Sequence, residues 1–305
     1  MTSQDRLPLR AERKFLQERL AALPPSAQMM RISTQSRLRT IDEQLVEAID
    51  EYKPARVRLT FSGRPVMGSH GIFAEFGMKA ISSFTEAVVA VAASLTAPLA
   101  AMGPIPNKEQ HQLLITGTAL GSFGFELEEC QTGTLLPEPS PIAQALERTQ
   151  NLLAGTIGTD DQLADSAADT DPRALDKIRN FLQTLSDHEA ICAMQYREMF
   201  FRFTDVGQVR NSMLRLGHDN LHEAVQVMAG EIQGVLPKGR TFEFKLAGQD
   251  EVVRCKIGMA ILAPDQLNKW LYQPTEISVM MTQVGMGKPR YVLMAMPNCH
   301  VPLVT

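Results

Sequence analysis

The stretch RVRLTFSGRPVMGSHGIFAEF, residues 56–76, opens the unit from which the fold is read, and QLLITGTALGSFGFELEE, residues 112–129, closes it. Between Arg56 and Ser62 the residues alternate. Val57, Leu59 and Phe61 share one face, and Arg56, Arg58, Thr60 and Ser62 share the other. Period-two alternation predicts a half-buried strand. Gly63, Pro65, Gly68 and Gly71 then punctuate a turn. From Ile72 the period changes: Ile72, Phe76, Ala80, Phe84, Val88, Val91 and Leu95 recur at helical spacing. Ser69 or His70 is expected to cap this helix, Glu75 suits its first turn, and Pro98, Pro104 and Pro106 end it. Gln112–Thr118 and Ser122–Glu128, joined through Ala119-Leu120-Gly121, predict a β-hairpin. The product is a small β-α-β-β layer with the helix lying across the sheet.

The glycine-bearing turn is the first candidate ligand site. Backbone N–H groups at a helix start attract anions, and Arg64 stands beside them. The spacing carries neither G-x-G-x-x-G nor a Lys-Ser/Thr pair, so a tight strand-to-helix connection explains it as well. Arg64, Ser69, His70 and Gly71 are the candidate ligand-binding residues there. Glu126 and Glu128, on one strand face, are added as carboxylates for acid–base work; strand-edge acids are also commonly just solvated.

Composition bounds the rest. A chain of 305 residues can hold two or three domains. Net charge is −4, so no global basic field exists to hold nucleic acid. Cys130, Cys192, Cys255 and Cys299 stand far apart with no C-x-x-C pair, a reduced intracellular pattern. The opening MTSQDRLPLR has no apolar core of a signal peptide, and Ala87–Ala101 is too short and contains Pro98. A cytoplasmic protein without a membrane partner is expected.

Residues 1–51 predict a basic helical hairpin, broken at Pro24-Pro25. From Arg6 to Arg39 it holds eight Lys/Arg against two acids. Arg10, Arg13, Lys14, Arg31, Arg37 and Arg39 read as a solvated face, or as contacts to phosphate or an acidic surface. The core α+β domain spans 54–130. Residues 131–172 read as an acidic linker with one helix, Ile142–Leu153; TDDQLADSAADTD within it reads as a solvated link. Residues 173–218 form a helical middle. Asp171-Pro172 starts a helix, Ala190–Tyr196 and Met199–Phe203 suggest a short hairpin, and Thr204 caps a helix through Leu216.

Residues 221–300 turn to strands: Val225–Leu236, Arg240–Leu246 and Glu251–Gly258, a short helix at Pro264–Leu271, then Glu276–Val284 and Pro289–Met296. That order suggests a five-stranded OB-like barrel, with an SH3-like barrel as the near alternative. Phe242, Phe244, Cys255 and Ile257 read as core. Lys245, Arg254 and Lys256 on the opposite face are candidate nucleic-acid contacts, although no aromatic platform accompanies them. Trp270, Tyr272 and Tyr291 read as packed. His218 and His222, four apart, are a weak metal candidate if helical; a zinc site needs further ligands. The fold class is therefore α+β. No catalytic residue and no cofactor are assigned. The chain reads as a non-enzymatic binding or adaptor protein acting through protein contacts and self-association. A nucleic-acid-associated protein is the alternative, and an enzyme on a phosphorylated small molecule at the Gly63–Gly71 turn is the second.

Overall fold

The computed structural model describes residues 12–13, 15–17, 19–20, 27–50, 54–97, 99–100, 102–119, 123–130 and 139–297, with 43–50 by their main chain alone. The chain divides into two compact units, one of residues 1–55 with 131–140 and one of 56–130 with 141–305.

In the first unit, helix α1 spans Gln28–Asp50, and described residues between 12 and 20 are helical. Arg13 pairs with Asp42 at 2.7 Å and Arg37 with Glu12 at 2.9 Å. The Arg37 hydrogen bond holds the Glu12 carboxyl below its ordinary range.

The second unit begins with the quoted stretch. β1 (Arg56–Gly63) buries Val57, Leu59 and Phe61 as its alternation requires. Two short strands follow, β2 (Val66–Met67) and β3 (Gly71–Ile72). They pair with each other and take up Ser69 and His70 in their turn. Helix α2 (Ala74–Ser94) therefore starts later than the sequence suggests. Its N-cap is Phe73, whose side chain makes no capping bond, so neither Ser69 nor His70 caps it. Phe76, Ala80, Phe84, Val88 and Val91 are buried along its apolar face. Among the described residues α2 is the one helix long and apolar enough to cross a membrane, and 61% of that window is buried inside the fold.

β4 (Leu113–Ala119) and β5 (Phe123–Glu129) pair antiparallel. Three helices come next: α3 (Pro141–Ile157), α4 (Asp160–Ala168) and α5 (Pro172–Asp187). The Asp-rich run expected to be a solvated link is thus helix α4. Thr159 and Gln162 form a capping box, Asp160 and Asp161 suit the first turn, and Leu163, Ala164 and Ala167 are buried. Asp171 caps α5 with Pro172 behind it, as the sequence indicates.

β6 (Ala190–Tyr196) and β7 (Met199–Arg202) return to the sheet, whose order is β4-β5-β1-β6-β7. Every pairing in it is antiparallel, with Leu59 beside both Phe125 and Met194. Helix α6 (Val206–Leu216) is capped by Asp205, not Thr204; the Thr204 hydroxyl donates to the Asp205 carboxylate instead. Contacts of α2 with α3 and α5, and of α3, α5 and α6 with β6, put these helices over one face of the sheet. Phe61 meets Phe76 edge-on at 5.4 Å, and Phe84 meets Phe181 at 5.5 Å, inside that layer.

The last five strands close into a barrel: β8 (Leu221–Leu236), β9 (Thr241–Leu246), β10 (Val252–Ile257), β11 (Pro274–Val284) and β12 (Arg290–Leu293). Its order is β10-β12-β11-β8-β9, with β10 and β12 parallel and the other neighbours antiparallel. Met228, Ile232, Phe242, Phe244, Cys255 and Val279 fill the interior, and Leu267 of a 3₁₀ turn, Pro264–Trp270, joins them. Trp270 and Tyr291 pack against this core as expected, whereas Tyr272 is 66% exposed.

Candidate functional site

The predicted site residues fall into separate places. Gly63 has φ +108°, and a Cβ there would lie 2.4 Å from the Glu189 carbonyl, so β1 must end on glycine. That bend lets Arg64 N donate to the Glu189 carbonyl while its guanidinium pairs with the Glu189 carboxylate at 3.4 Å. Ser69 and His70 are exposed in the β2–β3 turn and Gly71 is half-buried. Glu126 and Glu128 lie across the open sheet face, holding Arg58 at 2.8 Å and Arg56 at 2.6 Å. Among the described residues, the turn and these two carboxylates share no hydrogen bond or ion pair.

His218 sits in the turn after α6 and His222 on strand β8, so they do not share a helix face. His218 instead lies 3.7 Å from Asp176 and near Arg179. Among the described residues no group of three or more His, Cys, Asp or Glu is placed to hold a metal. Cys192 and Cys255 are free and buried; burial pushes the Cys255 thiol up to about 12 and the Cys192 thiol higher still, which keeps both unreactive.

The basic candidates are mostly engaged. Lys245 pairs with Asp250 at 3.0 Å, which raises its own pKa and lowers that of Asp250. Lys256 pairs with Asp169 at 2.7 Å. Arg254 is exposed and stands opposite Glu243. Arg13 and Arg37 hold acids, and Arg31 and Arg39 have partners too. Arg10 and Lys14 lie outside the described residues, as do Ser122 and Cys299.

A constellation absent from the sequence reading emerges on the barrel wall. Strand register places Val225, Met280, Val292, Lys256 and Thr241 in one outward row across β8, β11, β12, β10 and β9. Three of those five are apolar, on the face away from the core. The row runs into a cleft of about 530 Å³ between the barrel and the helical ends. Met259, Met280 and Met294 line the barrel side; Thr96, Asp169 and Asp171 line the other. Methionine is an adaptable lining for apolar guests, and the volume suits a bound side chain or small ligand.

Four ion pairs tie α4 to the barrel and to α6, and one of them, Asp169–Lys256, stands in the cleft wall. Asp169 at the end of α4 takes Lys256, while Asp161 and Asp165 take Arg290 of β12 at 3.2 and 2.6 Å. Asp160 takes Arg215 at 2.6 Å. Four of the five carboxylates in the Asp-rich run are thus paired with three cations of α6 and the barrel. The Asp171 carboxylate accepts from Arg173 N and Leu99 N, so it caps α5 rather than facing a ligand.

Sequence reasoning missed Met259, Met280 and Met294 because nothing local marks them. Outward apolar residues on a barrel strand become a site only once the register and the opposite wall are known. No protein-family model, curated protein or solved structure matches this chain.

Proposed function

We propose that the chain is a cytoplasmic, non-enzymatic binding or adaptor protein that works through protein–protein contacts and self-associates. The apolar row Val225–Met280–Val292, opening into the methionine-lined cleft, carries this reading. Such a row on the outside of a closed barrel, with Val225 exposed and Met280 and Val292 only half-buried, gains further by contact with another chain. The engaged carboxylates add support: Glu126, Glu128 and Glu189 each hold an arginine in the framework.

The test is a panel of labelled peptides with apolar anchors. Met280→Glu should weaken capture by about tenfold or more, as expected of a central anchor position. Met286→Glu, at a turn tip 98% exposed, should leave capture intact. Equal effects of the two substitutions refute the reading. Light scattering that finds only monomer at micromolar concentration refutes self-association.

One observation favours a second reading. Numbering the barrel strands one to five gives the order 3-5-4-1-2, with a 3₁₀ turn between the third and fourth strands. That arrangement supports an OB-type barrel over an SH3-like one, and OB barrels hold single strands of nucleic acid on their second and third strands. Arg254 on β10 would then contact phosphate. Binding of a labelled single strand that weakens steeply with salt and with Arg254→Ala supports this; no complex at low salt removes it.

A further inference from the structure

Strand β8 is longer than its neighbour on one side. It pairs with β11 along Leu221–Glu231, but β9 joins it only from Gly230. The Ala229 carbonyl accepts from Ala247 N at 2.9 Å, on the β9 side. Main-chain groups alternate sides along a strand, so those of Glu223, Val225 and Val227 point the same way. Among the described residues, the N–H and C=O of Val225 and Val227 find no main-chain partner there. Their side chains are 58% and 69% exposed on the outer face. The run AVQVMA, residues 224–229, carries no charge and no proline, the usual devices that blunt a free edge.

The surroundings select the occupant. A second copy of β8, laid antiparallel, would run into Ala247 and the turn that ends β9. A short extended segment fits the opening from Glu223 to Val227, with room for about five residues. Its sign follows from the charges beside it. Glu231 and Glu276 share the outer face at the near end, where Lys245 is held by Asp250, and at the far end Glu223 is half-buried beside Arg179, Asp176 and Asp171. Glu231 and Glu276 stand diagonally across β8 and β11, opposite Pro274 and Ala229. Both line a hollow of about 860 Å³ where the β9–β10 turn meets these strands.

We infer that β8 binds an extended segment of a protein partner by strand addition along Glu223–Val227. The segment runs antiparallel to β8, in line with β9, alternates apolar residues, and carries a Lys or Arg at its start for the hollow. This deepens the protein-contact reading above and rests on it.

The full chain is titrated with labelled Lys-Thr-Val-Thr-Val, whose Lys and two Val side chains share one face, and with its Glu-first counterpart. The Lys peptide should bind at least about tenfold tighter, since the hollow has an excess of acids. N-methylation of the peptide amides that face β8 should abolish binding; methylation of the alternate amides should spare it. Glu276→Lys should cost about tenfold for the Lys peptide. Hydrogen exchange at Val225 and Val227 should slow on binding. Equal binding of the Lys and Glu peptides, or of the two methylated peptides, overturns strand addition. If peptides bind through Met280 yet ignore the methylation pattern, strand addition falls and the broader reading stands. If no peptide binds, both fall.

Discussion

Arg215 offers the most demanding test of how the helical layer is held. It lies near the end of α6 with a side chain only 16% exposed. One guanidinium nitrogen donates to the carbonyls of Thr156 at 2.6 Å and Gly158 at 2.7 Å, with Gly155 at 3.5 Å. The other donates to Asp160 at the start of α4. A helix leaves its last carbonyls without intrahelical donors, and α3 ends here. Arg215 supplies the missing donors together with a cation where the helix dipole favours one. Each hydrogen bond from a charged donor contributes about 1.5–3 kcal/mol. The Asp160 pair adds under about 1 kcal/mol, because that carboxylate is half exposed. With the two short carbonyl bonds dominant and water replacing part of them, Arg215→Met should cost about 3–4 kcal/mol. Methionine keeps the apolar stem, so packing loss is excluded as the cause. Arg215→Lys retains one donor nitrogen and the charge but loses the planar fork, and should cost about half as much. Urea unfolding followed by circular dichroism should show a lower midpoint at unchanged slope. A loss below about 1 kcal/mol for Arg215→Met would refute the capping argument.

Three further outcomes follow from the same physics. Gly63→Ala forces a Cβ onto the Glu189 carbonyl at positive φ; it should cost about 2–4 kcal/mol, and an unmoved denaturation midpoint would contradict that. Arg290→Ala removes the pairs to Asp161 and Asp165, both more than half exposed. The loss should be about 1 kcal/mol and shrink at about 1 M salt, where screening acts over about 3 Å; a salt-independent loss would count against an ionic origin. Burial raises the Glu223 pKa, opposed by Arg179 and reinforced by Asp176 and Asp171. A raised folded value means that protonation stabilises the fold. That stability is present below the unfolded value and lost as pH rises through the folded one. Glu223→Gln should match the parent in acid and exceed it near neutrality; stability curves that stay parallel across this window would rule the effect out.

Much of this molecule is readable from local pattern, because local pattern is what sets individual elements. The alternation of Arg56–Ser62 determined a strand with its buried face, and the spacing from Phe76 to Val91 determined α2. Phe242, Phe244, Cys255 and Ile257 named the barrel interior before the barrel was seen. Asp171-Pro172 marked the start of α5. The chain also contained the T-x-x-Q capping box of α4, but its acidic composition pointed to a solvated link. Cations from α6 and from the barrel, far away in sequence, make that helix tenable.

Other features were decided only when distant segments met. That β6 lies beside β1 depends on pairing across more than a hundred residues, and no period within either strand encodes it. The same holds for the outward row from Val225 to Thr241, which exists only through the register of five strands. Glu126 and Glu128 were legible as two carboxylates on one face; that each already holds an arginine was not. Side-chain periodicity reports which face of an element is apolar. What that face meets, and which strand edge is left open, is set by tertiary closure, where one residue's partner is chosen by the placement of every other element.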